Sequence, residues 1–521
     1  MGATDAESVM REQSCRLHLA LKARPKTKPD TGDWAVRDGP FMLKALMSAI
    51  ERVERHLSRG VAIDEAVQLE KRAFVDQHDG ARRFLEHALE QYYAYHEARQ
   101  EQLGRLRFVE SWMKIQEKPN ATLALWGTVY DGPGGVREVR RFRTTPARKQ
   151  ITAWAYIAAR VAARRLVREP VQRIWVTEIG LHDGIESHVL KGITPEEADN
   201  LYERHGREAA LAVVEGGSYR PGRDCSSCRA TSVCDALIAL PGFLQSKGRG
   251  PWTRSLSASD LELHDQCPSR WYMEHEAHLP RDEEGSEFQR RGRAVHRWLV
   301  AAHARGQACT AEDLPAPERG MPLVGADVLD PRDYELAHSF LRSHAAVCPH
   351  LAEGIGHFVS ERTLYAFDSA ADVVIATKAD ATWLQGDRLV IREVKTVQAL
   401  PEADRDAIFS WFLAVSWGLV ALDAGVARHF GATRGEVQLE LLSPHGAVVH
   451  TYSTDDPELM AIARGRIRRL GRRWLADTTW SPQPSAGCTQ CSVRRWCVSR
   501  DDWAHRPTGA AASLPAAPVF A

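Results

Sequence analysis

Apolar residues recur at helical spacing from about residue 40 to residue 100, with Phe41, Leu43, Leu46, Ile50 and Val53 on one stripe. The period then changes. Runs at 106–115, 122–130 and 136–142 predict three strands, and the sequence DGPGG between the second and third is a turn signal. A helix rich in Ala and aromatics is predicted over 146–168, followed by strands at 174–180 and 186–190. The next helix opens at Thr194, where TPEEADN supplies a capping hydroxyl, a proline at the first helical position and acids in the first turn. Ahead of all these, SVMREQSCRLHLALK reads as a helix carrying Cys15.

Residues 241–254 hold Gly, Pro and basic residues without apolar periodicity, which predicts a linker. After it the order of elements repeats. SLSASDLELHDQCPSRWYMEH predicts a capped helix carrying Cys267, and GRAVHRWLVAAHARG one carrying His296. A proline-containing loop over 309–334 and a helix over 334–347 precede strands at 356–366, 372–384 and 388–395. A helix over 402–424, strands near 436–442 and 447–452, and an arginine-rich helix over 456–475 complete the pattern. From His505 the chain is low in complexity and reads as a disordered tail.

The repeated order predicts a duplication, in which each half is an α/β domain with a mixed central sheet flanked by helices. The boundaries expected are 1–240, a linker at 241–254, 255–504, and a tail at 505–521. A chain of 521 residues is long enough for two or three domains. Lys plus Arg and Asp plus Glu are equal at 68 each, so any nucleic-acid binding must come from a local basic groove rather than net charge. No apolar run is long enough to span a membrane and the first residues lack an apolar signal core, so a soluble cytoplasmic protein is expected.

The ten cysteines sharpen this picture. Cys225, Cys228 and Cys234 share the spacing C-x2-C-x5-C with Cys488, Cys491 and Cys497. Each triplet has a lone cysteine far upstream, Cys15 and Cys267, giving four ligands twice and leaving Cys309 and Cys348 as ordinary thiols. In a reducing compartment such spacing points to metal rather than disulfides. Four thiolates suit either tetrahedral zinc or an iron–sulfur cluster, although zinc ribbons pair two C-x2-C knuckles and this arrangement does not.

The chemistry gathers in ADATWLQGDRLVIREVKT, residues 379–396. Asp380 ends one strand, and Glu393 and Lys395 lie two apart on the next, on one face. Carboxylates there can hold Mg2+ or Mn2+, which prefer oxygen, while Lys395 positions or deprotonates a water or steadies developing charge. His296 adds an imidazole, which suits Mn2+ better than Mg2+. An acid followed by Glu-x-Lys is common by chance, and its weight comes from the surrounding order of elements. No GxxxxGK[ST] is present, so no motor motif accompanies it.

In these residues the second half resembles the PD-(D/E)xK nucleases of the RecB and AddB type and their CRISPR-associated relatives that carry an iron–sulfur cluster. The resemblance rests on Cys267-Pro268 before Trp271-Tyr272, on Gly292 and His296, on Asp380, Glu393 and Lys395, and on the closing triplet Cys488, Cys491 and Cys497. It implies metal-dependent hydrolysis of DNA, at ends or on single strands, with Asp380, Glu393 and Lys395 catalytic and His296, Asp380 and Glu393 on the metal. It also implies a [4Fe–4S] cluster on Cys267, Cys488, Cys491 and Cys497, with a second set of ligands in Cys15, Cys225, Cys228 and Cys234. The family's following helix carries a Gln that DRDAIFSWFLAVSW lacks. A helicase-like, repair or defence partner is consistent with the resemblance. A non-catalytic DNA-binding or assembly subunit and an RNA-processing nuclease stand as alternatives.

Aligned on the second half, the first places Gly39 on Gly292, Leu43 on His296, Gly127 or Thr128 on Asp380, and Arg141 and Arg143 on Glu393 and Lys395. It is expected to lack carboxylates and therefore catalysis. Arg141, Arg143 and Gln150, which matches the family's helix Gln, are then candidates to contact DNA, with a first half that serves only as a packing partner for the second as the alternative.

Overall fold

The computed structural model describes residues 1–11, 14–24, 42–165, 170–217, 219–246, 252–282, 287–314 and 329–500. Gly39 and the expected tail from His505 lie outside them. The chain forms two compact units. The first holds Met1–Thr231 with Ser269–Arg281 and Arg495–Val498, and the second holds Ser232–Pro268 and Asp282–Arg494.

In the first unit α1 (Ala3–Val9), α2 (Arg16–Ala23), α3 (Met42–Leu57), α4 (Ile63–Lys71) and α5 (Asp79–Leu103) precede the sheet. The strands are β1 (Arg107–Lys118), β2 (Ala121–Gly132), β3 (Val136–Arg143), β4 (Arg173–Gly180) and β5 (Glu186–Ile193), in that spatial order. All pairs are antiparallel except β3/β4, which α6 (Ala153–Arg164) bridges as a crossover. The alanines of α6 let it lie close on the sheet, with Trp154, Ile157 and Val161 packed on Met113, Leu123 and Val129. Thr194 and Glu197 form the expected capping box on α7 (Pro195–Leu201), which continues through a π turn into α8 (Arg207–Glu215).

In the second unit β6 (Ile238–Ala239) and β7 (Arg254–Leu256) come first, then α9 (Ala258–Gln266). After α10 (Pro268–Trp271), which from Ser269 belongs to the first unit, come α11 (Glu287–His303) and α12 (Pro331–Ala345) of the second. Then follow β8 (Ile355–Asp368), β9 (Val373–Gln385), β10 (Arg388–Thr396), α13 (Arg405–Trp411), α14 (Leu413–Ala421), α15 (Ala427–His429), β11 (Arg434–Ser443), β12 (Gly446–Ser453) and α16 (Pro457–Ala476). Strands β8 to β12 repeat the order and the sense of pairing of β1 to β5, with the one parallel pair at β10/β11. β6 adds in parallel to β8 and β7 to β9. Val295, Trp298 and Leu299 of α11 and Phe340 and Leu341 of α12 bury against Val394 and Leu442. On α14, Gly418 lets the helix approach the sheet, since a Cβ there would meet Val437 at 3.0 Å.

Several expectations are corrected. Residues 238–239 pair with β8, so the second unit begins before the expected boundary at 240. The described part of the expected linker is packed: Phe243 and Leu244 are buried, and Asp368 accepts from the amides of Gly242 and Leu244. Cys15 caps α2 after a break from α1. Cys267 ends α9 in an extended conformation, as the residue before Pro268 must. The helix expected over 402–424 breaks by 90° at Phe412. There Glu262 accepts from the freed amide of Leu413 at 3.0 Å. Among the described residues no single helix is long and apolar enough to cross a membrane.

Candidate active site

Strands β8, β9 and β10 lie side by side, and their registers align three acids. Ser360 and Arg362 pair with Ala381 and Ala379, so Glu361 lies across from Asp380. Ala381 pairs with Arg392, so Asp380 lies beside Glu393. The result is a row, Glu361–Asp380–Glu393, on one face of the sheet. Glu361 sits at φ 49°, a left-handed backbone position unusual for a side-chain-bearing residue in a strand.

Helix α11 lays His296 over this row. Its Nδ1 is 3.2 Å from Asp380 Oδ1 and 3.5 Å from Glu361 Oε1. The ligand atoms of His296, Glu361 and Asp380 all lie within 4.8 Å of one another. Asp380 Oδ2 accepts from the amide of Val394 at 2.7 Å, which ties the acid to the next strand. Lys395 Nζ donates to Glu393 Oε2 at 3.2 Å, and exposed Lys378 pairs with Glu361 at 2.9 Å.

The electrostatics follow from burial and these neighbours. Burial opposes the charge on His296, but Asp380 and Glu361 outweigh it and raise the imidazole to about 9. Burial pushes Asp380 up, yet His296, Lys395 and the Val394 amide hold it well below the usual carboxylate range. For Glu393 burial prevails over Lys395, and with Asp380 adjacent its carboxyl rises to about 7. Lys395 resists burial because Glu393 and Asp380 hold it well above an ordinary lysine. The oxygens of Asp380 and Glu361, with the His296 imidazole, converge as a divalent ion needs, whereas Glu393, also expected on the metal, lies beside Asp380 but outside that convergent group among the described residues. His296 lies between Asp380 and Glu361, and a divalent cation would share the same oxygens.

The row floors a groove of about 1130 Å³. Arg293 and Arg297 line it from α11, Arg466 and Arg469 from α16, and Trp411 and Phe412 from the α13/α14 break. The family's helix Gln is absent from that break, while Gln266 and Gln289 line the groove from other elements.

Residues 255–498 match the model of the PD-(D/E)XK nuclease superfamily. That span contains the whole acidic row, His296 and Lys395. Nucleases of this superfamily use divalent metals, and the match suggests a nuclease. Fourteen solved chains are similar. One, described as "Crystal structure of SSO0001", is 13% identical over 47% of this chain and 87% of that chain. Its TM-score of 0.23 is too low to support any argument. No curated protein matches the chain.

Sequence reasoning placed His296, Asp380, Glu393 and Lys395, and the structure brings all four to one face. It missed Glu361, because RTLYAF gives no motif around it and only the β8/β9 register puts it in the row. The two cysteine triplets share one local fold. Cys225 and Cys488 each accept from an amide three residues earlier at 3.3 Å, and Cys228 and Cys491 each end the short 3-10 turn that carries them. Cys15 and Cys225 are buried, and Cys228, Cys234, Cys267, Cys488, Cys491 and Cys497 are half-buried. Among the described residues no three of these eight converge as tightly as a single ion requires.

The first unit corrects the expectation of a site without acids. Thr128 pairs with Arg140, so Gly127 lies across from Arg141 and is the counterpart of Asp380. Gly127 has φ 156°, and a Cβ there would meet the carbonyl oxygen of Arg140 at 2.5 Å, so no side chain fits. Arg141 binds Glu7 at 2.5 Å and Glu178 at 3.2 Å, while Arg143 lies 3.5 Å from Glu178. Carboxylates are therefore present, from α1 and β4, but arginines neutralise them. Gln150 is exposed in the turn before α6, not on the helix.

Proposed function

We propose that the chain is a metal-dependent deoxyribonuclease of the RecB-like type, acting through its second unit. The observation that carries this is the row Glu361–Asp380–Glu393, with His296 and Lys395, on the floor of an arginine-lined groove. A divalent ion held by Asp380, Glu393 and Glu361 with the His296 imidazole would supply Lewis-acid polarisation and an acidified water. Lys395, steered by Glu393, donates to a phosphoryl oxygen or to the attacking water. Arg293, Arg297, Arg466 and Arg469 hold flanking phosphates, and Trp411 and Phe412 offer faces for unstacked bases, which favours single strands or ends.

The shared strand order and triplet turns support a duplicated first copy in which a glycine and arginines have replaced the metal ligands. They also support [4Fe–4S] ligation by Cys267, Cys488, Cys491 and Cys497, and by Cys15, Cys225, Cys228 and Cys234. A four-iron cluster spreads its thiolates wider than one ion does. Repair or defence against foreign DNA in the cytoplasm, alongside a helicase-like partner, is the setting this reading suggests.

The test is incubation of the purified chain with linear, circular and single-stranded DNA, and with RNA, in Mg2+ or Mn2+. Asp380→Ala and Lys395→Ala are expected to abolish cleavage of DNA while circular dichroism stays native. Equal behaviour of the wild type and both variants, or cleavage of RNA alone, would overturn the reading.

A further inference from the structure

Beyond the catalytic row, towards the C-terminal end of α11, four side chains converge that the proposed reaction does not use. His303 ends α11 and Cys309 follows in the next loop, while His344 lies in the last turn of α12 and Cys348 just beyond it. Their ligand atoms all lie within 4.8 Å of one another, and none of the four residues is more than 6% exposed. His303 Nε2 is 3.1 Å from His344 Nε2 and 3.6 Å from Cys348 Sγ. A tetrahedral zinc with bonds of about 2.0–2.1 Å to nitrogen and about 2.3 Å to sulfur sets nitrogens about 3.3 Å apart, and nitrogen and sulfur about 3.6 Å apart.

The hydrogen bonds around His344 favour the same arrangement. His344 Nδ1 lies 2.6 Å from Glu440 Oε1, and Arg392 donates to Glu440 Oε2 at 3.0 Å. A carboxylate committed to Arg392 can only accept, so His344 Nδ1 carries a proton, which leaves Nε2, facing His303 Nε2, as the nitrogen that would present a lone pair to a metal. This is how an outer carboxylate orients a metal-bound histidine. His344 and Glu440 are fully buried, so the arrangement is built into the core. Two imidazole nitrogens and two thiols, dry and facing one point, form the donor set of a closed structural zinc site.

We propose that His303, Cys309, His344 and Cys348 bind one zinc ion, distinct from the cysteine quartets and from the acidic row. The ion clamps the C-terminal ends of α11 and α12 to each other. Helix α11 carries His296 two turns upstream on the same side, and one small interior space is lined by His296, Glu361 and Asp380 together with His303, His344 and Glu440. The clamp therefore fixes the helix that places His296 over Asp380. With thiolate ligands, binding releases protons from Cys309 and Cys348 to solvent, and no redox change is involved.

The test is metal analysis of the full-length chain expressed with zinc, with iron measured in parallel, and it does not rely on nuclease activity. One zinc per chain is expected in the wild type, and a loss of that one equivalent in Cys309→Ala/Cys348→Ala with iron unchanged. Should that variant fail to fold, Cys348→His keeps a ligand. It is expected to retain the zinc and, after cobalt substitution, to shift the visible bands of the tetrahedral site relative to wild type. Wild type without zinc, a Cys309–Cys348 disulfide in freshly purified protein, or unchanged zinc in the double variant would overturn the assignment. So would a Cys348→His cobalt spectrum identical to wild type.

Discussion

Replacing Glu138 by glutamine tests whether the first unit is held by a buried charge cluster. Glu138 lies on β3 with no exposed surface. Its Oε1 accepts from the Tyr95 hydroxyl at 2.8 Å, Arg99 Nε at 2.9 Å and Thr177 Oγ1 at 3.0 Å. Its Oε2 takes Arg140 Nε at 2.9 Å, with Arg140 Nη2 at 2.8 Å. Burial pushes the carboxyl up, but Arg140, Arg99 and Tyr95 prevail and hold it at about 2, against 4.5 unperturbed. At about 1.4 kcal/mol per unit, that depression corresponds to roughly 3 kcal/mol of stability at neutral pH. Removing one partner of a buried pair costs about 3–5 kcal/mol, because the other charge is stranded, and here two arginines are stranded. Glu138→Gln is therefore expected to destabilise the first unit by about 3–4 kcal/mol, a large part of a typical domain's stability. Urea titration of the full chain, read by hydrogen exchange in peptides from β3 and α5, measures this unit separately. The carboxylate's contribution is present above its unfolded pKa and lost as pH falls through the folded one. The gap between wild type and variant should accordingly narrow from about pH 4.5 towards pH 2. A loss below about 1 kcal/mol, or a gap independent of pH, would refute the reasoning.

His96 accepts from Arg140 Nη1 at 2.9 Å, and burial together with Arg140 depresses it to about 3. The unfolded chain then takes up the proton first, so wild-type stability should fall between pH 6.5 and pH 3 more steeply than that of His96→Gln in urea melts. Glu361→Gln, which removes a carboxylate facing His296 and Lys378, is expected to slow DNA cleavage about 10–100-fold without unfolding the chain. An unchanged rate would remove Glu361 from the site. Because Arg141 and Arg143 are occupied by Glu7 and Glu178, Arg141→Ala and Arg143→Ala should leave the salt dependence of DNA binding unchanged. A slope reduced by about one for each arginine would show that both contact phosphates.

The sequence by itself determined the elements and most of the local chemistry. Alternation and helical spacing placed β1 to β5, β8 to β12 and most of the helices, because they depend on which face of each segment must leave water, while the short β6 and β7 escaped it. Asp380, Glu393 and Lys395 were legible because they lie within one hairpin, where the period of two fixes their common face. The shared turn of the two cysteine triplets was legible in their common spacing. What only the tertiary structure decided is what separate segments bring together. Glu361 joins the row through the register of β8 on β9, and the break at Phe412 depends on Glu262, about 150 residues away. Glu7 reaches Arg141 from the start of the chain, filling with paired charge a place the sequence marked as vacated. Cys309 and Cys348 carried no signal at their own spacing. They meet His303 and His344 because α11 and α12 run side by side in the same sense, Arg291 on Asp333 at their starts and His303 on His344 at their ends. Periodicity fixes faces, while long-range packing fixes which faces share a point in space, and ligand sets are made of the latter.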